Sequence, residues 1–415
     1  MILDLAARMG RIAESATAAM FRRVAELRQQ GVDVVSTALG EPDAAPPPHV
    51  REAMKRAIDE GAHRYTEVAG MRSLREAILA DSLRRRGVAH ALDEVVVSAG
   101  AKHALFNLAQ ALFDHGDEVV IPTPAWVSYA EQARLCGALP VLVPCAESDG
   151  FLVQPEALAG ALSSRTKAVV LCTPSNPTGA AYDAPALEAL AEVLRKSAAV
   201  VIVDEIYAEL LYDGRRPVSL LTVAPDLRER IVVVDGVSKR FAMTGYRVGW
   251  ALMPRAIARA CEVVQSQATT SISTPSQYAA QAALLGPQSR DAVGGVQQLA
   301  DPDASVRAMR DALSVRRDYL VGALSKIEGL RVRKPQGAFY LFVSVHGLLG
   351  AATPRGFADD IAVAEYLLDA GRVATVPGSA FHAPGYLRMS YATAQSDLER
   401  AVARIAEAVR SLRAP

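Results

Sequence analysis

Two residues with reactive side chains stand directly after apolar segments of the sequence. Asp204 follows the run AVVIV, and Lys239 follows IVVVDGVS. A carboxylate that ends a buried strand is unfavourable unless it is paired. Asp204 is therefore either an ion-paired or helix-capping residue or the counter-ion of a buried cationic ligand. A lysine after a turn is ordinarily solvated, but a lysine in an apolar site or near positive charge can lose its proton and act as a nucleophile or form an imine.

Two further segments contain groups that suit a phosphate. Residues 98–102 (SAGAK) close an apolar run and open a helical pattern. Backbone N–H groups at a helix N-terminus bind anions, and small residues allow a close approach, although most such turns carry no ligand. Ser238 and Arg247, in SKRFAMTGYRVGW, add a hydroxyl and a guanidinium. Arg247 alone would also fit a surface ion pair.

Four more side chains have both a structural and a ligand-binding interpretation. Asn176, in PSNPTG, is explained by turn chemistry or presents an amide to a ligand. Trp126 is either a core aromatic or a ring that lies on a flat cofactor. Tyr207, three residues after Asp204, can present a phenol from the same helix start. Arg388, in LRMSYA, either binds a carboxylate with two hydrogen bonds or forms a salt bridge across a sheet.

Short apolar segments rich in Val and Ile predict the strands of a sheet. They cover residues 94–98, 118–121, 139–143, 167–172, 199–204, 231–235 and 248–252. Helical patterns separate several of them, at 103–113, 127–135 and 184–195. This alternation predicts an α/β fold class, with a mostly parallel sheet covered by helices on both faces, in a large domain at residues 45–285. Ligands of such sheets bind beyond the carboxyl ends of the strands, where the candidate residues fall.

The rest of the chain predicts a smaller α+β domain at residues 286–415, with residues 1–44 as an N-terminal arm and part of that domain. Its predicted elements are helices at 305–327, 361–370 and 397–412 and strands at 331–333, 338–343 and 387–391. One long helix is predicted at 255–285, and the Gly/Pro/Gln-rich segment 286–304 is predicted to be a surface loop. Three arginines at 84–86, before Gly87, are predicted to form a solvated helix end.

The composition disfavours several classes of protein. The 415 residues contain 45 Lys+Arg and 45 Asp+Glu, so the formal net charge is zero, whereas duplex-binding proteins normally carry a basic face. No run approaches the roughly 18 apolar residues of a membrane span, and no secretory h-region is present at the start. The four cysteines form no CxxC, and the seven histidines show no metal-ligand spacing. We expect a cytoplasmic protein that binds no metal, no nucleic acid and no membrane.

Taken together, the candidate segments resemble the class I/II aminotransferases, which are fold type I enzymes dependent on pyridoxal 5'-phosphate (PLP). The resemblance is carried by the order of SAGAK, Trp126, NPTG, DEIY, SK, Arg247 and Arg388, with ALGEPD, YTEVAG, WVSY, GAFY and VPGSAF around them. It extends from near Ser15 to near Thr393 and is greatest to the prokaryotic-type aspartate aminotransferase subgroup. It implies transfer of an amino group between an L-amino acid and a 2-oxo acid, by a homodimer with shared active sites.

The resemblance also implies a role for each candidate residue. Lys239 would join PLP covalently and carry a proton at the substrate Cα, Asp204 would pair with the pyridine nitrogen, and Tyr207 would donate to the phenolic oxygen. The remaining PLP-binding residues would be Gly100, Ala101, Lys102, Trp126, Asn176, Ser238, Arg247 and, from the neighbouring subunit, Tyr65. Arg388 would bind the substrate α-carboxylate, and Gly40, Trp126 and Asn176 would complete the substrate contacts.

Two questions stay open on the sequence alone. Lys102 and residues 15–17 (SAT) match positions that bind the distal carboxylate in the aspartate-using subgroup, which implies an acidic substrate. Residues 44–46 (AAP), Glu67 and Ala125 depart from the family pattern, and an extra acid at the substrate entrance could instead select a basic or polar substrate.

Related enzymes perform eliminations, cyclisations or oxidations with the same residues. A PLP-sensing regulator would need an added DNA-binding module, but fewer than fifty residues precede GEPD.

Overall fold

The computed structural model describes residues 5–290, 296–298, 301–350 and 356–412. Its α-helices are, in chain order, α1 (Ala16–Gln29), α2 (Pro48–Asp59), α3 (Arg72–Arg86), α4 (Ala101–Leu112), α5 (Ser128–Leu135), α6 (Pro155–Ala161), α7 (Ala184–Leu194), α8 (Leu220–Val223), α9 (Val237–Arg240), α10 (Arg255–Ala268), α11 (Thr274–Leu285), α12 (Ala304–Leu324), α13 (Asp360–Asp369) and α14 (Gln395–Ser411). Its strands are β1 (Val35–Ser36), β2 (Val95–Ser98), β3 (Glu118–Thr123), β4 (Leu139–Pro144), β5 (Thr166–Cys172), β6 (Val200–Asp204), β7 (Ile231–Gly236), β8 (Gly249–Leu252), β9 (Gln288–Arg290), β10 (Val296–Gln298), β11 (Arg331–Val332), β12 (Tyr340–Ser344), β13 (Val373–Ala374), β14 (Val376–Pro377) and β15 (Tyr386–Ser390).

A seven-stranded sheet in the order β2-β8-β7-β6-β5-β3-β4 contains all seven strands predicted for the large domain. Strands β3 to β7 pair with their neighbours in parallel, and β8 runs antiparallel between β2 and β7. The predicted α/β class with a mostly parallel sheet is therefore confirmed.

The continuous apolar sequence of these strands follows from helices on both faces of the sheet. In β6, Val201 and Val203 pack into a cluster that includes Leu187 of α7, whereas Ile202 packs into a second cluster that includes Leu108 of α4. Successive side chains of a strand point to opposite faces, so a strand covered on both faces needs apolar residues at every position. The sheet edge is then the place where a polar side chain can reach a ligand.

A second, four-stranded antiparallel sheet in the order β11-β12-β15-β14 carries Tyr340 on β12 and Arg388 on β15. Strand β1 pairs in parallel with β13, and the Thr37 hydroxyl donates a 2.8 Å hydrogen bond to the carbonyl oxygen of Ala374. This pairing holds the chain just before Gly40 against the C-terminal part of the protein.

Two sequence predictions in the middle of the chain are wrong in part. The single helix predicted at 255–285 is two helices, α10 and α11, because the intervening TTSIS is rich in residues that favour caps and because Thr270 has a φ of 62°. The predicted loop at 286–304 contains two short strands, β9 and β10, which pair antiparallel. Residues 291–295 and 299–300 of that segment lie outside the described residues.

The prediction of a solvated helix end at residues 84–86 is wrong for two of the three arginines. The side chains of Arg85 and Arg86 are only 6% and 5% exposed, and only Arg84 reaches solvent substantially. Arg85 and Arg86 instead form ion pairs with carboxylates that stand more than a hundred residues later in the sequence. Gly87 ends the helix with a φ of 69°, as the sequence indicates.

Candidate active site

The candidate residues meet at the carboxyl edge of the large sheet. Asp204 is the last residue of β6, and Lys239 lies in the one-turn helix α9 that directly follows the neighbouring strand β7. Asn176 lies in the turn after β5, which pairs with the other side of β6. Gly100 precedes α4 at the end of β2. Because parallel strands end at one edge, residues far apart in the sequence share one site.

Lys239 presents a part-buried amine to this edge. Its ammonium donates a hydrogen bond to the carbonyl oxygen of Gly40 and lies 5.8 Å from the ring centre of Phe339. Burial lowers the pKa of Lys239 to about 8, and the charges of Arg388 and Arg247 act in the same direction. About one-tenth of the amine is therefore neutral and nucleophilic at pH 7, a far larger share than in an ordinary lysine.

Asp204 is buried and keeps its proton to unusually high pH. Its Oδ2 accepts a 2.7 Å hydrogen bond from the Tyr129 hydroxyl, and its Oδ1 accepts one of 3.1 Å from the backbone N–H of Ile206. Burial raises the pKa of Asp204 to about 6, against the lowering effect of those two hydrogen bonds. Within the described part of the chain, no Lys, Arg or His nitrogen forms a salt bridge with this carboxylate. The site thus holds an acid that would favour a cationic group beside it.

Arg388, on β15, is a buried cation without a carboxylate partner among the described residues. Its Nη1 donates to Oδ1 of Asn176 at 3.0 Å and its Nη2 donates to the carbonyl oxygen of Ala38 at 2.7 Å, while its Nε has no hydrogen-bond partner there. The guanidinium lies over the rings of Tyr340 and Phe381, 4.5 and 5.0 Å from their centres. Burial lowers the pKa of Arg388. A ligand carboxylate would supply the missing counter-charge.

Tyr207 and Tyr340 join the two sheets at the site. Their hydroxyl oxygens lie 3.0 Å apart in a hydrogen bond, and burial raises the pKa of both phenols. Gly40 lies so close that a β-carbon there would stand 2.8 Å from the Tyr340 hydroxyl. The loop that receives the Lys239 hydrogen bond is therefore packed directly on this tyrosine pair.

The other end of the site is positively charged. Arg247 has a φ of 56° and donates hydrogen bonds to the carbonyl oxygens of Thr244 and Ala99 at 2.9 and 3.2 Å. Gly100 has a φ of 88°, and a β-carbon on it would stand 2.5 Å from Nη2 of Arg247. Ser238 is buried in α9 beside Lys239. This end combines a guanidinium, a hydroxyl and the first N–H groups of α4, which together suit an anion.

Lys102 and Trp126 lie next to each other beside this charged end. The ammonium of Lys102 is 4.8 Å from the centre of the Trp126 ring, and burial together with the charge of Arg247 lowers the pKa of Lys102. Trp126 in turn meets Tyr129 edge to face, with 5.4 Å between ring centres. The half-buried indole is thus fixed from two sides.

One predicted residue stands apart from the others. Tyr65, in the loop between α2 and α3, is 85% exposed, so a single chain does not bury its ring in the site. Two residues that sequence reasoning did not single out do belong to the site, namely Tyr129 and Tyr340. Both lie in motifs, WVSY and GAFY, that carried the resemblance, which is the signal that could have found them.

Across the described ranges, no three His, Cys, Asp or Glu residues are grouped so that they could hold a metal ion. None of the helices in those ranges has the length and apolar character that a bilayer crossing requires.

Comparison with known proteins agrees with this geometry. The family described as aminotransferase class I and II matches residues 32–405. The aspartate aminotransferase of Geobacillus stearothermophilus is 41% identical over 403 residues, which cover 97% of this chain and 98% of that protein. A probable aspartate/prephenate aminotransferase of Rickettsia felis is 38% identical over 411 residues, which cover 98% and 97%.

Solved structures give the same result. The aspartate aminotransferase of Rhizobium meliloti superposes with a TM-score of 0.92 at 40% identity, covering 99% of this chain and 100% of that one. The aspartate aminotransferase of Thermus thermophilus with maleate superposes with a TM-score of 0.89 at 38% identity, covering 98% and 100%.

A lysine and an acid at the carboxyl edge of an α/β sheet, with an arginine from the second sheet beside them, are typical of an enzyme site. The chain belongs to the aminotransferase class I and II family, and its reaction is the transfer of an amino group. The resemblance to aspartate aminotransferases seen in the sequence is confirmed.

Proposed function

We propose that this chain transfers the amino group of an acidic L-amino acid to a 2-oxo acid with PLP as its cofactor. One observation carries the proposal: an acid and an amine at the same sheet edge have strongly perturbed protonation. The pKa of Asp204 is raised to about 6 and that of Lys239 is lowered to about 8. Such opposed shifts at one site are typical of groups that take part in catalysis.

The residues of the site fit PLP. Asp204 is a buried acceptor that would hold the protonated pyridine nitrogen. Arg247, Ser238 and the N–H groups of Ala101 and Lys102 would hold the phosphate, and glycine at position 100 keeps that approach open. The ring contacts would come from Trp126 on its face and from Tyr207 and Asn176 at its phenolic oxygen. When bound, PLP supplies an electron-withdrawing ring that makes the substrate Cα–H acidic.

Lys239 would work first as a nucleophile and then as a base. Its Nζ would hold PLP covalently, and the same Nζ would carry the proton that leaves the substrate Cα. A base with a pKa of about 8 is well matched to proton transfer near neutral pH.

Arg388 would orient the substrate. A bidentate pair with the α-carboxylate would fix the direction of the Cα–H bond relative to Lys239, and such orientation is a large part of catalytic rate. Asn176 already bonds Nη1 of Arg388 and would share this carboxylate, while the chain around Gly40 would cover it and exclude water.

The proposal of an acidic substrate rests on a second positive group near Trp126. Lys102 lies against that ring, and Ser15 precedes α1 without a side-chain capping bond. The backbone N–H of Ala13 donates to Glu131 of α5 at 2.9 Å, which brings the segment with Ser15 and Thr17 towards the site. Maleate, present in the Thermus thermophilus structure, is a dicarboxylate, as a distal carboxylate site would require.

We also infer a cytoplasmic homodimer with shared active sites that binds neither nucleic acid nor membrane. Tyr65 is 85% exposed in the single chain and is therefore available to complete the partner's phosphate site. The division into units at 45–285 and 286–415, with 1–44 joining the second, accords with the pairing of β1 and β13.

The test is a matrix of amino donors and acceptors. Purified protein loaded with PLP is incubated with each of the twenty amino acids and with 2-oxoglutarate, pyruvate or oxaloacetate, and the new amino acid is quantified by mass spectrometry. We expect L-aspartate with 2-oxoglutarate to react fastest. Release of ammonia without a new amino acid, or a basic donor that outperforms aspartate, would contradict the proposal.

A further inference from the structure

The helix that carries Lys239 is held by the next residue in the chain. Helix α9 has only four residues, too few to fix its own orientation. Arg240 donates two hydrogen bonds to the Asp81 carboxylate on α3, at 2.8 and 3.0 Å. It donates two more to Asp303, directly before α12, at 3.0 and 2.5 Å. Its side chain is only 3% exposed.

We propose that Arg240 is a positioning residue for Lys239: by bonding Asp81 and Asp303 at once, it fixes the short helix from which the reactive amine projects. The inference rests on the role of Lys239 given under the proposed function. Arg240 itself contacts none of the groups assigned there to cofactor or substrate.

The C-terminal end of α3 also holds the residue that follows Asp204. Arg86 donates a 2.7 Å hydrogen bond to Glu205, the residue after Asp204, and another of 2.7 Å to Asp235 in β7. Arg85 bonds both Asp235 and Asp81. The last turn of α3 therefore holds the chain next to both reactive residues through one connected set of buried ion pairs.

The arginines dominate the electrostatics of this set. Burial alone would raise the pKa of Asp81, but the positive charges of Arg85, Arg240 and Arg84 hold it well below its ordinary value. Asp81 thus stays ionised throughout the physiological range, and the attachment of α9 does not loosen with moderate changes of pH. A fully paired buried network fixes geometry because every alternative leaves a charge unpaired.

A change in the position of α9 should alter the protonation of Lys239. Besides burial, the charges that act on its amine are Glu41, Arg388, Arg247 and Asp204, which stand on separate elements. Movement of the helix would admit water and change the distances to all four. The pKa of Lys239 therefore reports the position of α9 without any need for turnover.

Arg240→Met tests the proposal without leaving a buried acid unpaired. Asp81 keeps Arg84 and Arg85, and Asp303 keeps Arg84. Arg317→Met is the matched control, because the Arg317 side chain is fully buried and its partners Asp213 and Asp318 keep Lys334. Arg240→Lys keeps the charge but not the fork of donors, so it separates geometry from charge.

Two measurements are made on each full-length variant. The first is kcat and KM with PLP bound. The second is the pKa of Lys239 after removal of the cofactor, from the pH dependence of its acetylation by acetic anhydride, read by peptide mass spectrometry. We expect Arg240→Met to lower kcat about 10-fold or more with KM within about 3-fold, and to raise the pKa of Lys239 by about one unit. Arg240→Lys should fall between Arg240→Met and wild type, and Arg317→Met should match wild type.

A kcat within about 2-fold of wild type, an unchanged Lys239 pKa in Arg240→Met, or an equal loss in Arg317→Met would overturn the proposal. If Arg240→Met does not fold, the effect is measured in Arg240→Lys alone. An unchanged pKa of Lys239 in that variant would equally overturn the proposal. A wild-type protein that takes up no PLP at Lys239 and forms no new amino acid would instead refute the proposed function, so the two failures are distinguishable.

Discussion

The hydroxyl of Tyr129 donates a 2.7 Å hydrogen bond to Oδ2 of Asp204, and the same ring meets Trp126 edge to face. One residue of α5 therefore fixes both the buried acid and the indole that we propose to enclose the cofactor ring. The hydrogen bond favours the ionised form of the acid, yet burial prevails and the pKa of Asp204 stands at about 6. In the cofactor-free protein the ionised acid is consequently a source of instability.

Asp204→Asn should stabilise the cofactor-free protein at neutral pH. The folded pKa of about 6 lies above the ordinary value of 3.8, so the stability contributed by the proton is complete below pH 4 and is lost as the pH rises through 6. The shift of roughly two units corresponds to about 3 kcal/mol. Urea denaturation measures the unfolding free energy of variant and wild type at each pH. Between pH 4 and pH 7, the variant should gain up to this amount relative to wild type. If the difference in unfolding free energy between the two proteins is the same at pH 4 and pH 7, the pKa of Asp204 is not raised by folding.

Gly40→Ala should damage the site, and Tyr340→Phe should repair it. A β-carbon at position 40 would stand 2.8 Å from the Tyr340 hydroxyl and 3.8 Å from the carbon that bears it, so removing that one oxygen removes the clash. We expect Gly40→Ala to lower kcat/KM about 10-fold or more, by displacing the chain that bonds Lys239. The double variant should recover to the level of Tyr340→Phe alone, because neighbouring changes are non-additive. Losses that simply add would contradict the contact.

Arg388→Ala should weaken the binding of every amino donor to a similar degree. Its guanidinium is buried beside Asn176 with no carboxylate partner in the described structure, and we assign it to the α-carboxylate that all substrates share. Loss of a bidentate charged pair should reduce kcat/KM by about 100-fold or more. Steady-state kinetics with aspartate, glutamate and alanine measure it, with Arg331→Ala, an exposed arginine, as the control. A loss confined to the acidic donors would place Arg388 at the distal carboxylate instead.

Tyr65→Phe should loosen the cofactor without changing the fold of the chain. The ring is 85% exposed and is assigned to the partner's phosphate, so loss of its hydroxyl removes one hydrogen bond to a charged group. Such a bond is worth about 1.5–3 kcal/mol, which corresponds to at least a 10-fold rise in the PLP dissociation constant. Tyr278→Phe, an exposed tyrosine of α11, is the matched control. Equal PLP affinity in both variants, or a monomeric protein at active concentrations, would refute the shared site.

The sequence predicted those site residues that follow directly from parallel-sheet topology. Asp204, Lys239 and Asn176 each stand just beyond an apolar strand, and the ends of neighbouring parallel strands must meet. Tyr129 and Tyr340 were beyond such reasoning, because their positions depend on how α5 and β12 pack against that edge. Only the motifs WVSY and GAFY, which carried the family resemblance, distinguish them from core aromatics.

The arginines of α3 are a second case in which the local sequence did not predict the surroundings of a side chain. Three cations before a glycine are locally a favourable helix end, and the prediction of a solvated end followed from that rule. The buried side chains of Arg85 and Arg86 form ion pairs with the carboxylates of Glu205, Glu209 and Asp235. Partners so distant along the chain leave no signal in the sequence near the arginines. The break between α10 and α11, in contrast, could have been predicted from its run of Thr and Ser.

The parallel pairing of β1 with β13 has a consequence for the order of events during biosynthesis. Thr37 bonds Ala374, 337 residues later, so the ribosome must release nearly the entire chain before the first strand finds its neighbour. The seven-stranded sheet, complete by Leu252, can assemble while translation continues. Gly40 and Arg388 then come together last, and a nascent polypeptide stalled before Val373 would possess Lys239 and Asp204 but not the Arg388 that we propose to bind the substrate.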